Sequence, residues 1–277
     1  MYRVSKVLNN NGVIAIDMDE NKEYVILGKG VGFGKKVSQR FDKPEGCTTY
    51  RLEQETERGS AKELVKGIEP EYLEIADAIL TESQKVFGDS IDRGILFPLA
   101  DHISFAVARI RRNEQISNPL TEDIKVLFYS EFKVAETLKT ILRERLQIEI
   151  DDHEVGYVAL HIHSAIGDEK VSVAMQTARA VRECIDMIEK ATGKPIDVLS
   201  LSYNRLMNHM KYMVARASTG EKLNLDMNEY MLDQYPQAYK VATDIYKNLE
   251  GCIGHKLDET ETGYLAMHIQ RVYKDAV

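Results

Sequence analysis

Tryptophan is absent from this sequence and cysteine is scarce. Cys47, Cys184 and Cys252 are odd in number, far apart and without any Cys-x-x-Cys spacing. That pattern argues against a disulfide framework or a structural zinc site and points to a reducing, cytoplasmic setting. No run of about twenty apolar residues occurs, so no helix is expected to span or insert into a membrane. The opening Met1-Tyr2-Arg3-Val4 lacks the apolar stretch of a signal peptide. A P-loop, a Gly-x-Ser-x-Gly elbow, a His-Glu-x-x-His zinc motif and a Gly-x-Gly-x-x-Gly leading into a helix are all missing. The usual nucleotide, acyl-transfer and metal-hydrolase chemistries are thereby set aside, and no catalytic residue, cofactor or metal is expected.

A cationic excess is missing too. The net charge of −8 argues against non-specific polyanion binding by the chain as a whole, leaving room for a local basic patch. The remaining composition is that of a globular protein, 44% hydrophobic and 29% charged, with seven Phe and fourteen Tyr for its cores. A length of 277 residues calls for two or three domains.

Residues 1–60 read as strands. Arg3 to Leu8 is β-prone and runs into Asn9-Asn10-Asn11-Gly12, an Asn-Gly hairpin signal resting on tolerance of positive φ. Val13 to Ile16 and Tyr24 to Leu27 follow, and then a stretch with glycine at every second position, Gly28-Lys29-Gly30-Val31-Gly32-Phe33-Gly34. A small antiparallel sheet of about four strands is predicted, with the glycine stretch as a strand. After Arg58-Gly59-Ser60 the apolar spacing changes to threes and fours, and helices are predicted from there to the C-terminus.

The helical part repeats itself. Glu154-Val155-Gly156-Tyr157-Val158-Ala159-Leu160-His161-Ile162 returns 107 residues later as Glu261-Thr262-Gly263-Tyr264-Leu265-Ala266-Met267-His268-Ile269. The same offset relates Leu99–Arg109 to Leu206–Arg216 and Phe132–Ala135 to Tyr239–Ala242. Three blocks at one offset imply a tandem duplication, with copies over residues 62–168 and 169–277. Asp151 to Glu154 and Asp258 to Glu261 resemble capping boxes that open a helix. Gly156 and Gly263 cost helix stability and point to close helix packing.

Each copy carries two matched histidines, His102 and His161, then His209 and His268. Taken one at a time, each is most simply a hydrogen-bonded core residue. Their retention at matched places in otherwise divergent copies favours chemistry, since a neutral imidazole can carry a covalent group or bind metal. Metal is the weaker reading, because His161 and His163 point to different helix faces and Gln270 replaces His163 in the second copy. In the N-terminal part, the asparagines, glycines and Phe33, with Lys35, Lys36 and Arg40 nearby, suit a nucleic-acid surface: close backbone approach, stacking and phosphate attraction. An ordinary hairpin and bulged strand would read the same way.

Together, Lys6-Val7-Leu8-Asn9-Asn10-Asn11, the glycine stretch and the paired Asp101-His102/Gly156–His161 and Asn208-His209/Gly263–His268 motifs resemble the BglG/SacY family of transcriptional antiterminators over the full chain. The resemblance implies a multidomain fold. A small antiparallel β-sheet RNA-binding domain (1–60) would precede two all-α helical-bundle PTS regulation domains (62–168 and 169–277). It further implies a homodimer that clamps a leader-mRNA hairpin and prevents terminator formation, with Asn9, Asn11, Gly28, Lys29 and Phe33 reading the RNA and Lys6 near its backbone. HPr and a sugar-specific enzyme II of the phosphotransferase system would phosphorylate His102, His161, His209 and His268. Lys29 departs from the arginine of many members, and a lysine lacks the planar bidentate contact. The Gly-Lys-Gly form and His161-Ile162-His163-Ser164-Ala165 are shared with the glucose-type subgroup. A DNA-binding activator with the same regulatory modules and a scaffold that binds no RNA are the alternatives.

Overall fold

The computed structural model describes residues 1–52, 55–56, 59–114, 116–167, 170–193, 195–197, 200–254 and 256–275. Arg58, and the junction at 168 and 169 between the expected helical copies, lie outside the described residues.

Five strands, β1 (Tyr2–Asn9), β2 (Gly12–Asp17), β3 (Glu23–Leu27), β4 (Arg40–Phe41) and β5 (Thr48–Arg51), form an antiparallel sheet in the order β4-β1-β2-β3-β5. A short pair, β6 (Glu55–Thr56) and β7 (Gly59–Ser60), follows. Alternating residues of the strands bury Val4, Val13, Ala15 and Ile26 against Val31, Phe41 and Cys47, which makes a small core of the sheet's own. The β1–β2 hairpin turns on Asn10 and Asn11 with no positive φ at either. The Asn9 side chain takes that role by accepting a hydrogen bond from the Asn11 amide at 2.8 Å.

The glycine stretch is not the predicted strand. It forms consecutive turns, in which the amides of Val31, Phe33 and Lys35 donate to the carbonyls of Gly28, Gly30 and Gly32. Gly30 and Gly34 sit at φ of 74° and 68°, in the left-handed region that a regular strand does not use. The fourth and fifth strands are instead β4 and β5, both too short to stand out in the sequence.

From Ala61 onward the described regular structure is helical: α1 (Ala61–Gly67), α2 (Pro70–Phe87), α3 (Leu96–Arg111), α4 (Thr121–Leu127), α5 (Tyr129–Ala135), α6 (Thr137–Leu146), α7 (Asp152–Gly167), α8 (Val171–Thr192), α9 (Leu201–Thr219), α10 (Asn228–Gln234), α11 (Pro236–Ile253) and α12 (Glu261–Asp275), with short 3-10 turns before α3. The expected class, a small antiparallel sheet followed by helical bundles, is the one found. The chain divides into two compact units. Residues 1–118 and 130–171 hold the sheet and the helices of the first copy other than α4. Residues 119–129 and 172–277 hold the second copy together with α4, whose Asp123 accepts from the buried Tyr203 hydroxyl of α9 at 3.2 Å. In the second unit a Cβ on Gly263 would lie 2.7 Å from the carbonyl carbon of Met227, so α12 packs there against backbone. No helix among the described residues is long and apolar enough to cross a membrane.

Candidate functional site

In the first unit, the asparagine turn and the glycine turns are joined into one surface. The Gly28 and Gly32 amides donate to the carbonyls of Asn11 and Asn10 at 2.9 and 3.0 Å, and the Gly30 amide donates to Asn11 Oδ1 at 3.0 Å. A Cβ at Gly32 would stand 2.0 Å from the Asn9 carbonyl oxygen, and one at Gly28 would stand 2.3 Å from Cys47 Sγ. Glycine is therefore required at both places for the close approach. Phe33 projects from this surface with 74% of its area exposed, an unusual setting for a large aromatic ring. Lys6 and Lys29 are exposed, and Lys35 lies over the Phe41 ring at 4.9 Å.

Two further contacts bear on the same asparagines. Asn9 Nδ2 donates to Glu74 Oε1 at 2.6 Å, and Asn11 Nδ2 donates to Glu74 Oε2 at 3.2 Å. Glu74 lies on α2.

The helical histidines form pairs. His102 on α3 and His161 on α7 have ring centroids 5.3 Å apart, with Tyr157 5.7 Å from His102. His209 on α9 and His268 on α12 stack at 4.9 Å, with Tyr264 6.2 Å from His209. His102 and His161 are buried, and the His209 side chain is 9% exposed. Burial, then His268 and Arg216, pushes His209 down to about 3, while burial with Arg271 and Arg205 pushes His268 down to about 4. Both imidazoles are thus neutral near pH 7, with a lone pair available for bonding.

Each pair has a carboxylate and a guanidinium beside it that sequence reasoning missed in this role. Arg109 donates to both oxygens of Glu154 at 2.8 and 3.1 Å, and His102 Nε2 is 3.5 Å from the same carboxylate. Arg216 donates to both oxygens of Glu261 at 2.6 and 3.0 Å, with His209 Nε2 again 3.5 Å away. Burial alone would raise the Glu154 carboxyl, but His102 and Arg109 outweigh it and hold it below its ordinary range. Asp151 caps its helix as predicted, accepting from the amides of His153 and Glu154, but the Glu154 side chain turns to Arg109 rather than back to the cap. All four residues lie inside the repeated blocks, so the offset that marks the histidines could also have marked them.

His163 points away from His161 and meets Glu131 at 2.9 Å through Nδ1. No group of three or more His, Cys, Asp or Glu side chains among the described residues is placed to hold a metal ion.

A family model described as "PRD domain" matches residues 77–165 and 182–272, and one described as "CAT RNA binding domain" matches residues 2–59. The chain belongs to the BglG/SacY family of transcriptional antiterminators. It is 30% identical over 274 residues to the "GlcA/glcB genes antiterminator" of Staphylococcus carnosus (strain TM300), covering 97% of this chain and 94% of that one. It is 27% identical over 278 residues to "Transcription antiterminator LicT" of Bacillus subtilis (strain 168), covering 99% and 100%. A solved structure, "Crystal structure of GlcT CAT-PRDI", matches with a TM-score of 0.52 and 29% identity over 60% of this chain and 98% of that one. The CAT match takes in the whole surface of asparagines, glycines and Phe33 in this antiterminator, and the two PRD matches each take in one histidine pair.

Proposed function

We propose that this antiterminator acts in the cytoplasm as a homodimer that binds an antiterminator hairpin in a leader mRNA and so prevents a terminator from forming. Asn9, Asn11, Gly28, Lys29 and Phe33 read the RNA, and Lys6 meets its backbone. The observation that carries this reading is the joining of the asparagine and glycine turns into one rigid surface with Phe33 standing free on it. Glycines allow close approach, amides donate to acceptor groups, and an exposed ring stacks on an unpaired base.

His102, His161, His209 and His268 take phosphoryl groups from HPr and a sugar-specific enzyme II. A neutral imidazole nitrogen attacks phosphorus, forming one N–P bond as the bond from phosphorus to the donor's phosphorylated side chain breaks and that side chain leaves. The depressed histidines of the second copy are in the nucleophilic form at neutral pH. The added charge then lands beside a buried carboxylate, which is repulsive and favours repacking of the pair. The protein regulates rather than catalyses.

The test is a gel-shift titration of the full chain against an RNA hairpin from the leader of the glcA gene of Staphylococcus carnosus, with the DNA duplex of that sequence as control. RNA should bind more tightly than DNA, and binding should weaken as salt rises. Equal or stronger binding of the duplex would overturn the RNA reading and favour a DNA-binding activator.

A further inference from the structure

The amide groups of Asn9 and Asn11 are already taken in the unbound chain. Each side-chain oxygen is used internally, Asn9 Oδ1 by the Asn11 amide at 2.8 Å and Asn11 Oδ1 by the Gly30 amide at 3.0 Å. That fixes both side chains with their NH2 groups turned the same way, since only the oxygen can accept from a backbone amide. Both NH2 groups end on a single carboxylate, Glu74, one on each oxygen, at 2.6 and 3.2 Å. Glu74 is 19% exposed at its side chain and has Arg145 of α6 3.6 Å from Oε2.

A second set of contacts ties α2, which carries Glu74, and its neighbours to the sheet. Arg93 donates to Asp77 at 2.8 Å and to the Tyr50 hydroxyl at 2.7 Å, and Tyr50 of β5 hydrogen-bonds Asp77 of α2. Lys62 of α1 reaches Glu23 of β3 at 2.5 Å. These charges are particular to the first copy. The buried Leu73, Ala76, Ile79, Leu80 and Ser83 of α2 match the buried Ala178, Val181, Cys184, Ile185 and Ile188 of α8 in spacing. On that match Glu74 and Asp77 fall where the second copy has Arg179 and Arg182, and at the 107-residue offset Arg145 falls where it has Cys252. The acidic residues therefore go with the presence of a sheet to hold, not with the repeat itself.

We infer that Glu74 is an internal competitor of RNA: its carboxylate occupies the pair of NH2 donors presented by Asn9 and Asn11, and RNA must displace it to bind. The inference rests on the reading of Asn9 and Asn11 as RNA contacts. A carboxylate offers two oxygens to two donors, as the free oxygens of a phosphodiester do, so the two ligands exclude each other. The first regulatory module thus lowers RNA affinity by direct occupation of the reading surface, and whatever draws α2 away from the sheet raises it.

The experiment titrates the same glcA leader hairpin with four forms of the full chain: wild type, Glu74→Ala, Glu74→Gln and Glu82→Ala. Glu82 is an exposed residue of α2 paired with Lys85 at 2.6 Å, so its loss changes the net charge equally and leaves the amides covered. Glu74→Ala should bind about tenfold more tightly than wild type, the order expected for charge-assisted hydrogen bonds no longer competing. Glu82→Ala should stay within about twofold, and the gap should persist as salt rises because it reflects short-range contacts. Should Glu74→Ala melt at a lower temperature than wild type, Glu74→Gln decides in the same way, since one of its donors then faces another donor. Equal affinities for the Glu74 variants and Glu82→Ala would overturn the inference while leaving RNA binding intact. No RNA binding by any form would overturn the reading of Asn9 and Asn11 and the inference with it.

Discussion

The two helical copies share one piece of machinery and differ in what surrounds it. In each, a histidine pair stands beside a buried glutamate that is forked by an arginine, with His Nε2 at 3.5 Å from the carboxylate in both. Around the first pair the additions are acidic: Asp101 precedes His102, and Glu131 meets His163. The corresponding places in the second copy hold Asn208, Ala238 and Gln270. Around the second pair the additions are basic. Arg205 and Arg271 act on His268, whereas the first copy has Pro98 and Ser164 there. The duplicated core, glutamate and arginine included, has been kept, while the charges added around it are acidic in the first copy and basic in the second.

The largest expected effect tests the shared part. Arg216→Ala strands a carboxylate whose side chain is 2% exposed, and should cost about 3 kcal/mol in urea unfolding. Arg109→Ala should cost less, because Arg109 is 25% exposed against 16% for Arg216. A loss below about 1 kcal/mol in both would show that the fork contributes nothing to holding the carboxylate. Next comes packing within the second copy. Gly263→Ala drives a methyl into the Met227 backbone and should cost about 2 kcal/mol. Gly251→Ala, in open space on α11, should instead stabilise by about 0.5–1 kcal/mol. The same sign for both would sink the close-contact account.

Acid should act on the depressed pair of the second copy. Their folded values, about 3 and about 4, lie below the ordinary 6.5. The stability they contribute is present above pH 6.5 and is lost as pH falls towards 4, where the unfolded chain takes up protons that the folded one refuses. A melting temperature that declines over that window in the wild type and is flatter in the double variant His209→Gln, His268→Gln is the expected record. A window unchanged by the double variant would assign the acid response elsewhere. The smallest effect should be common to both copies. Asp151→Ala removes a carboxylate that caps α7, and Asp258→Ala one that accepts from the Thr260 amide in the turn leading into α12; each should cost about 1 kcal/mol. A large inequality would mean that the two helix starts are not equivalent.

Much of this was legible in the sequence. The change of period near residue 60, the offset of 107 and the matched histidines require only neighbours along the chain or the comparison of one copy with the other. What was hidden depends on topology. Glu154 reads as an ordinary capping residue until α3 brings Arg109, 45 positions earlier, within 2.8 Å of it. Glu74 reads as one more solvated carboxylate on an amphipathic helix until the sheet is laid on α2. The glycine stretch reads as a strand because alternation along a strand and glycine in serial turns give the same spacing, and backbone dihedrals are what separate them.

The fit at Gly32 has a consequence for how this antiterminator can change. With the Asn9 carbonyl 2.0 Å from where a Cβ would stand, the position is closed to every other amino acid, whereas Lys29 and Phe33 hang free beside it. Divergence is thereby channelled. Only glycine fits under the Asn9 carbonyl, while the projecting side chains beside it can be exchanged without disturbing that contact.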